Sequence, residues 1–220
     1  MAGGREALVD GVRAKARLLG NRFDDEAVWA LRSELLALHA YLRVHPRAAP
    51  SEKARASLDR TLDLAESAHG FSAELHGFLG QKGRSESASL YDLGSVGVLA
   101  IENILTADKV TLPRLLMSAL SEGLMYLASR QYVAGSREVL EGLYRQHAAT
   151  MYRELWALAT DYRKSLREKD VREIQAAIDG FFGRLQGANV PPEARIAVLR
   201  QFYALLLTLR TSELLDAIGG

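Results

Sequence analysis

The stretch LEGLYRQHAATMYRELWALATDYRKSL, residues 140–166, decides the fold class. Its apolar positions recur every three or four residues, which is the spacing of one face of an α-helix. These positions are Leu140, Tyr144, Ala148, Met151, Leu155, Leu158, Tyr162 and Leu166. Ser136 follows Gly135 and is suited to cap the helix start. The pattern predicts a long helix with one buried stripe, extending to about Lys169.

The rest of the chain also has the composition of helices. Strong helix formers fill most positions, and the 220 residues include only 5 prolines. No segment shows the alternation and turn signals of a β-hairpin. The predicted helices cover residues 5–19, 24–45, 51–79, 86–107, 111–133, 137–169, 170–185 and 191–218. We therefore predict an all-α fold, with residues 1–220 forming a single-domain bundle of seven or eight antiparallel helices.

Two local patterns refine this prediction. Ser51 is a good N-cap for the third helix, whereas Gly70 and Gly77 weaken its interior and could split it. The second helix should bury one apolar stripe, because its large apolar residues are spaced by three or four. That stripe consists of Val28, Leu31, Leu35, Leu38 and Leu42.

Composition excludes several classes of protein and site. The chain has 48% hydrophobic residues, 25% charged residues and a formal net charge of +1, which suits a globular domain and neither requires nor excludes a polyanionic partner. With no cysteine, disulfides, zinc–thiolate sites and thiol nucleophiles are excluded. Glu6 and Asp10 stand where a signal peptide would be apolar, and the run FYALLL is too short to span a bilayer. We expect a soluble, cytoplasmic protein.

One short motif has the spacing of a metal site. Glu66 and His69 form Glu-x-x-His, which di-metal helical bundles use twice, together with two further glutamates. His39, His45, His76 and His147 lack a Glu three residues earlier, so the set is incomplete. His69 and His76 share a helical face and leave a smaller metal site open. The competing interpretation is a polar or half-buried helix boundary.

Other catalytic and cofactor motifs are missing from the sequence. GFLGQKGRS, residues 77–85, resembles a phosphate-binding loop, but its glycines are wrongly spaced and Arg84 stands where that loop has Lys. The segment also follows a helix where the motif requires a strand, so an interhelical turn explains it better. The chain lacks the Gly-x-Ser-x-Gly of serine hydrolases and the strand-borne Gly-x-Gly-x-x-Gly of dinucleotide-binding folds.

Basic residues concentrate in the first helix, in the turn near residue 83 and in the segment around residue 165. Such side chains could neutralise phosphates in a salt-dependent way. The candidate nucleic-acid contacts are Arg13, Lys15, Arg17, Lys82, Arg84, Arg163, Lys164 and Arg167. Tyr152 and Trp156 lie off the centre of the apolar stripe in the opening stretch. They either widen the buried face or belong to a partner interface.

The segment LGSVGVLAIENILTADKVTLP, residues 93–113, carries one carboxylate within an apolar run. In a helix, Val98, Ile101 and Leu105 share a face, and Glu102 lies about 100° from Ile101. Glu102 can therefore sit at the edge of the apolar stripe with its carboxylate in water. A catalytic role would require partner acids.

Three segments resemble the translin family. They are AIENILTADKVTLPRLL at 100–116, ALSEGLMYLASR at 119–130 and LHAYLRVH at 38–45, with a looser match in AIDGFFGRLQ at 177–186. The resemblance implies an all-helical subunit that assembles into a ring or shell and binds RNA or single-stranded DNA. The ribonuclease-active branch holds a metal ion with acidic residues from neighbouring helices. Here Leu105 follows Glu102 by one turn, and Arg130 stands where a further acid is expected. The resemblance therefore implies a binding subunit.

Three functional hypotheses remain. The first is a non-enzymatic, cofactor-free helical protein that forms a homo-oligomer and binds RNA or single-stranded DNA. The second is a helical scaffold whose partner is another protein, which an exposed apolar patch would favour. The third is a metal-dependent hydrolase or nuclease that uses Glu66, His69, Glu102 and Glu122. None of the three involves a membrane.

Overall fold

The computed structural model describes residues 2–21, 25–46, 51–82, 137–161, 167–187, 190 and 192–219. Within these ranges the chain is helical apart from short connections and contains no strand. The helices are α1 (Ala2–Asn21), α2 (Asp25–Val44), α3 (Glu52–Lys82), α4 (Arg137–Asp161), α5 (Glu168–Leu185) and α6 (Pro192–Gly219). The all-α prediction is confirmed. The number of seven or eight helices and their antiparallel arrangement stay predictions, and the helices expected at 86–107 and 111–133 lie outside the described residues.

The described helices belong to two compact units. The first unit contains α1, α2, α3 and the part of α6 from Tyr203 onward. The second contains α4, α5 and the part of α6 that ends at Phe202. That residues 1–220 fold as a single domain stays a prediction.

In the first unit, α2 packs against both α1 and α3. The apolar stripe predicted for α2 is confirmed, since every member from Val28 to Leu42 is at most 6% exposed. On α3, the buried ring of Phe71 contacts the ring of Tyr203 on α6, with 5.2 Å between centroids. The buried Thr61 hydroxyl donates to the backbone carbonyl of Arg210 at 3.3 Å. These contacts fix α3 against the end of α6.

Helix α3 begins where the sequence predicts and is longer than expected. The Ser51 hydroxyl accepts the backbone N–H of Ala54 at 3.1 Å, as an N-cap residue does. The helix then continues for 31 residues through Gly70 and Gly77 without a break. Burial explains this continuity, because Phe71 and Leu75 beside the two glycines are at most 5% exposed. Packing of that face outweighs the low helix propensity of glycine.

In the second unit, α4 packs against α5. The stripe predicted from the opening stretch is confirmed within α4, where its members from Leu140 to Leu158 are at most 8% exposed. The ring of Phe181 on α5 packs edge-on against Phe202 of α6, with centroids 5.1 Å apart. Edge-to-face contacts of this kind add specificity to apolar burial.

The predicted end of the long helix at Lys169 is wrong. Helix α4 ends at Asp161, and a separate helix, α5, already begins at Glu168. Arg167 at the N-cap position of α5 has an extended backbone, with φ of −67° and ψ of 147°. Its guanidinium contacts the Asp170 carboxylate at 2.9 and 3.1 Å. Glu168 and Asp170 lie in the first turn, where the helix dipole favours negative charge, and the helix begins two residues before the predicted start at Asp170.

None of the helices in the described ranges combines the length and the apolar composition required to cross a membrane. The cytoplasmic location expected from the sequence stays a prediction.

Candidate nucleic-acid interface

The second unit contains a groove of about 700 Å³ between α4, the C-terminal half of α5 and the first turn of α6. We call it the α4–α5 groove. Its lining residues are Tyr144, Arg145, Ala148, Ala149, Tyr152 and Arg153 of α4, Asp179, Phe182, Gly183 and Gln186 of α5 and its end, and Arg195 of α6.

Helical spacing brings the α4 lining residues to one side. Arg145, Ala149, Tyr152 and Arg153 follow one another at three- or four-residue steps, or are adjacent, so they face the same direction. This face borders the buried stripe, which explains why Tyr152 is half-buried while Arg145, Ala149 and Arg153 are exposed. The small Ala149 leaves space between the two longer side chains on either side of it. On the opposite wall, Gly183 adds no side chain, and a Cβ built there meets nothing within 4 Å.

Aromatic side chains form one wall of the groove. The half-buried Tyr152 donates its hydroxyl to the Asp179 carboxylate at 2.7 Å, and its ring packs edge-on against Phe182 with centroids 5.5 Å apart. Trp156, one turn further along α4, stacks on Tyr152 at 5.7 Å and an interplanar angle of 27°. The hydrogen bond to Asp179 raises the pKa of Tyr152 and fixes the ring. The stacked pair Tyr152–Trp156 is therefore a pre-organised and partly exposed aromatic surface.

Three arginines and one aspartate supply the charge of the groove. Arg145 lies 3.3 Å from Glu141 in an exposed ion pair. Arg153 donates to the hydroxyl of Thr150 at 3.4 Å, and Arg195 donates through Nη2 to the backbone carbonyl of Gly187 at 3.0 Å. Within the described ranges, neither Arg153 nor Arg195 contacts a carboxylate. Among the described residues, two of the three groove arginines therefore carry positive charge that no carboxylate pairs with.

A buried tyrosine lies beside one of these cations. The Tyr144 side chain is 4% exposed, and the guanidinium carbon of Arg195 lies 5.4 Å from its ring centroid, which is a cation–π arrangement. Burial raises the pKa of Tyr144, an effect that the positive charge of Arg195 opposes. The phenol therefore stays protonated at neutral pH and can act as a hydrogen-bond donor.

The groove as a whole can bind an anion that carries flat rings. Guanidinium groups bind phosphate oxygens, and partly exposed aromatic rings stack on bases. Its length along α4, from Tyr144 to Arg153, is about 14 Å at 1.5 Å per residue. That length accommodates a short stretch of an extended single strand.

The sequence-predicted cations lie elsewhere in the molecule. Arg13 and Arg17 are exposed and one turn apart on α1, and the half-buried Lys15 lies between them. Arg13 pairs with Asp10, one turn before it, and Arg167 pairs with Asp170. None of these four basic residues lines the groove. Lys82 is the last residue of α3. Arg84, Arg163 and Lys164 lie outside the described residues.

Sequence reasoning missed the cations of the groove. Arg145 and Arg153 lie eight residues apart on the helix face that carries Tyr152, so their common orientation was present in the periodicity. Arg195 and Asp179 could not have been assigned to the groove from the sequence, because only tertiary packing brings α5 and α6 to α4. Tyr144 was correctly placed in the core stripe, but its position beside a cation has no local signal.

In the structure, the two residues of the Glu-x-x-His motif contact side chains of α2. The Glu66 carboxylate accepts two N–H groups of Arg32 on α2, from Nε and, at 2.7 Å, from Nη2. The hydrogen bonds from Arg32 lower the pKa of Glu66, and the carboxylate raises the pKa of Arg32. The His69 ring packs against Trp29 with centroids 4.9 Å apart. Both motif residues therefore take part in contacts between α2 and α3.

In the part of the chain that the structure describes, no cluster of three or more His, Cys, Asp or Glu side chains is suited to hold a metal ion. Glu102 and Glu122 lie outside that part of the chain. A hydrolase that used Glu66 as a ligand would have to displace the Arg32 guanidinium first.

No protein-family model, curated protein or solved structure matches the chain. The resemblance to the translin family therefore stays a prediction.

Proposed function

We propose that this protein is a non-enzymatic nucleic-acid-binding protein that takes single-stranded RNA or DNA into the α4–α5 groove. One observation carries the proposal. Tyr152, on which Trp156 stacks, lines the same groove as Arg145, Arg153 and Arg195, so an aromatic surface and a set of phosphate-binding groups lie together.

The aromatic surface favours a single strand over a duplex. In a duplex, base faces are covered by neighbouring bases, whereas an extended single strand exposes them for stacking on protein side chains. Stacking tolerates every base because every base has a π-face. We therefore propose weak sequence preference and a clear preference for unpaired strands.

The attraction for a polyanion must come from the charged side chains of the groove itself. The formal net charge is +1, so the molecule as a whole has almost no field to attract a polyanion. Three arginines and one aspartate line the groove; the aspartate accepts the hydroxyl of Tyr152, and Arg145 pairs with Glu141, which leaves Arg153 and Arg195 to supply the local positive charge. Counterion release at these positions supplies the salt-dependent part of the affinity. Formation of a homo-oligomer, which the resemblance implies, would repeat the groove and raise the avidity for long strands.

A binding assay with two tryptophan variants tests the proposal. A fluorescein-labelled single-stranded RNA about ten nucleotides long is more than long enough to fill one groove, and its anisotropy should rise with protein at low salt. Trp156→Ala should weaken binding by about 1–3 kcal/mol, because it removes a stacking partner. Trp29→Ala is the matched control, since Trp29 is 55% exposed and belongs to the first unit. It should bind like the wild type.

Two results would contradict the proposal. One is the absence of any RNA or DNA binding by the folded wild type at low salt. The other is equal affinity of the wild type and Trp156→Ala, with both proteins shown to be folded by circular dichroism. A duplex of the same sequence should compete poorly with the labelled strand, and the DNA version of the strand establishes whether the sugar matters.

A second candidate function is a scaffold for a protein partner, and a specific feature of α2 favours it. Trp29 and Leu36 are two turns apart on α2, and they are 55% and 38% exposed. Exposed aromatic residues are frequent anchors of protein interfaces. The two candidates differ in one requirement, because only the first needs affinity for a short single strand at low salt.

A further inference from the structure

A buried hydroxyl group at the wall of the α4–α5 groove has no acceptor among the described residues. Tyr144 is 4% exposed, and its phenol oxygen makes no hydrogen bond to any of the residues that the structure describes. Buried hydroxyl groups are normally hydrogen-bonded, because desolvation without a partner costs free energy. Tyr144 nevertheless lines the groove, where a bound molecule could supply the acceptor.

The neighbouring Arg195 also has a buried N–H donor without an acceptor among the described residues. Arg195 uses Nη2 to donate to the carbonyl of Gly187, while its Nε is buried and makes no hydrogen bond within the described ranges. Its guanidinium lies over the Tyr144 ring, 5.4 Å from the centroid. The groove wall thus combines a neutral O–H donor and a charged N–H donor on adjacent side chains.

The chemistry of these two donors defines the ligand. Arg195 is cationic and both groups donate, so they suit an anion whose oxygens accept both hydrogen bonds. A tetrahedral phosphate offers more acceptor oxygens than a planar carboxylate and can engage donors on two side chains. Arg145 and Arg153 in the same groove favour further negative charge nearby, as along a phosphodiester chain.

We propose that Tyr144 and Arg195 form a phosphate-binding subsite in the wall of the α4–α5 groove. The Tyr144 hydroxyl and the Arg195 Nε each donate to one phosphate oxygen. The inference deepens the proposed function and rests on it, because the nearest source of phosphate is the single strand in the groove. Three sources share this chemistry: a terminal phosphate monoester, an internal phosphodiester and free inorganic phosphate.

The test removes one oxygen atom. Tyr144→Phe keeps the ring and its contact with Arg195 but deletes the donor. Tyr41→Phe in the first unit is the matched control, because it makes the same chemical change on α2 and outside the groove. The probes are inorganic phosphate, a 5′-phosphorylated single strand and the same strand with a 5′-hydroxyl. Each is titrated at constant ionic strength, with chloride replacing phosphate as the blank.

The expected result is a loss of about tenfold in affinity on Tyr144→Phe, as for one hydrogen bond to a charged group, with no change for Tyr41→Phe. A loss confined to the 5′-phosphorylated strand assigns the subsite to terminal phosphates. An equal loss for both strands assigns it to internal phosphodiesters, and a loss for inorganic phosphate alone assigns it to the free ion.

An unchanged affinity of Tyr144→Phe would separate the phosphate-binding subsite from the proposed function. If Tyr144→Phe binds all three probes as the wild type does, the subsite is overturned, while strand binding that depends on Trp156 leaves the proposed function intact. If the wild type binds neither strand nor phosphate, both proposals fail together. Thermal unfolding in the absence of phosphate shows whether Tyr144→Phe is folded.

Discussion

At the scale of single residues, the ion pair between Arg32 and Glu66 shows how a motif acquires its role from its neighbours. Glu66 belongs to a Glu-x-x-His pattern, and the sequence left a metal site and a polar helix boundary open. In the structure its carboxylate accepts two hydrogen bonds from Arg32, which also lies 6.0 Å from the ring centroid of Trp29. Bidentate geometry makes this pair stronger than most surface ion pairs.

We expect a double-mutant cycle on Arg32 and Glu66 to give a coupling free energy of about 0.5–1 kcal/mol. The coupling should be this small because the Glu66 side chain is 52% exposed, so water screens the interaction. The variants are Arg32→Gln, Glu66→Gln and the double variant, each unfolded in urea. Arg172 and Glu168, an i, i+4 pair with 71% and 64% exposed side chains, form the matched control cycle. A coupling in the control cycle equal to that of Arg32–Glu66 would contradict the prediction.

The same pair predicts a dependence of stability on pH. Hydrogen bonding to Arg32 lowers the pKa of Glu66 in the folded state below its ordinary value of 4.5. A group with a lowered folded pKa contributes its full stability above the unfolded pKa and loses it as the pH falls through the folded pKa. The stability difference between wild type and Glu66→Gln should therefore be constant near neutral pH and shrink below about pH 4.5. Urea unfolding from neutral to acidic pH measures it, and a difference that persists in acid would exclude this mechanism.

At the scale of helices, periodicity predicted most of what the structure shows. The start of α2 at Asp25, the Ser51 cap of α3 and the end of α5 at Leu185 all agree with the sequence. These features depend on local chemistry, namely caps, prolines and apolar spacing, which a sequence displays directly. The sequence placed the break between α4 and α5 at Lys169, two residues after the extended Arg167, because the apolar spacing continues as far as Leu166. Arg167 and Asp170 mark the break by a local ion pair, which carries no apolar signal.

Helix α3 provides a test of propensity against packing. A Cβ built at Gly70 or Gly77 meets nothing within 4 Å, and both residues lie in the helix interior. Gly70→Ala and Gly77→Ala should each stabilise the protein by about 0.5–1 kcal/mol, since alanine loses less backbone entropy on folding. Gly11→Ala on α1 is the control, because its Cβ would approach the Glu34 carboxylate to 2.7 Å. It should gain less or lose stability in urea unfolding, and an equal gain at all three positions would contradict the steric argument.

At the scale of the whole molecule, the candidate groove lies where the sequence did not predict a site. A net charge of +1 with unevenly placed basic residues suggested phosphate contacts on α1 and around residue 165. The groove uses arginines that sequence reasoning passed over, because its second and third sides come from α5 and α6. Two later helices, α5 and α6, had to pack against α4 before Asp179 and Arg195 acquired these neighbours. Residue spacing within one helix cannot contain that information.

The salt dependence of strand binding distinguishes these two sets of cations. For single strands, the slope of log affinity against log salt changes by about 0.7 for each phosphate neutralised. Replacing Arg145, Arg153 and Arg195 together by Gln should therefore reduce the slope by about 2. Replacing Arg13, Lys15 and Arg17 by Gln removes the same charge from α1 and serves as the control for net charge. If both triple variants flatten the slope equally, the cations on α1 contact the strand as well, as the sequence suggested. If only the α1 variant flattens it, the strand binds on α1, and the groove is not the nucleic-acid interface.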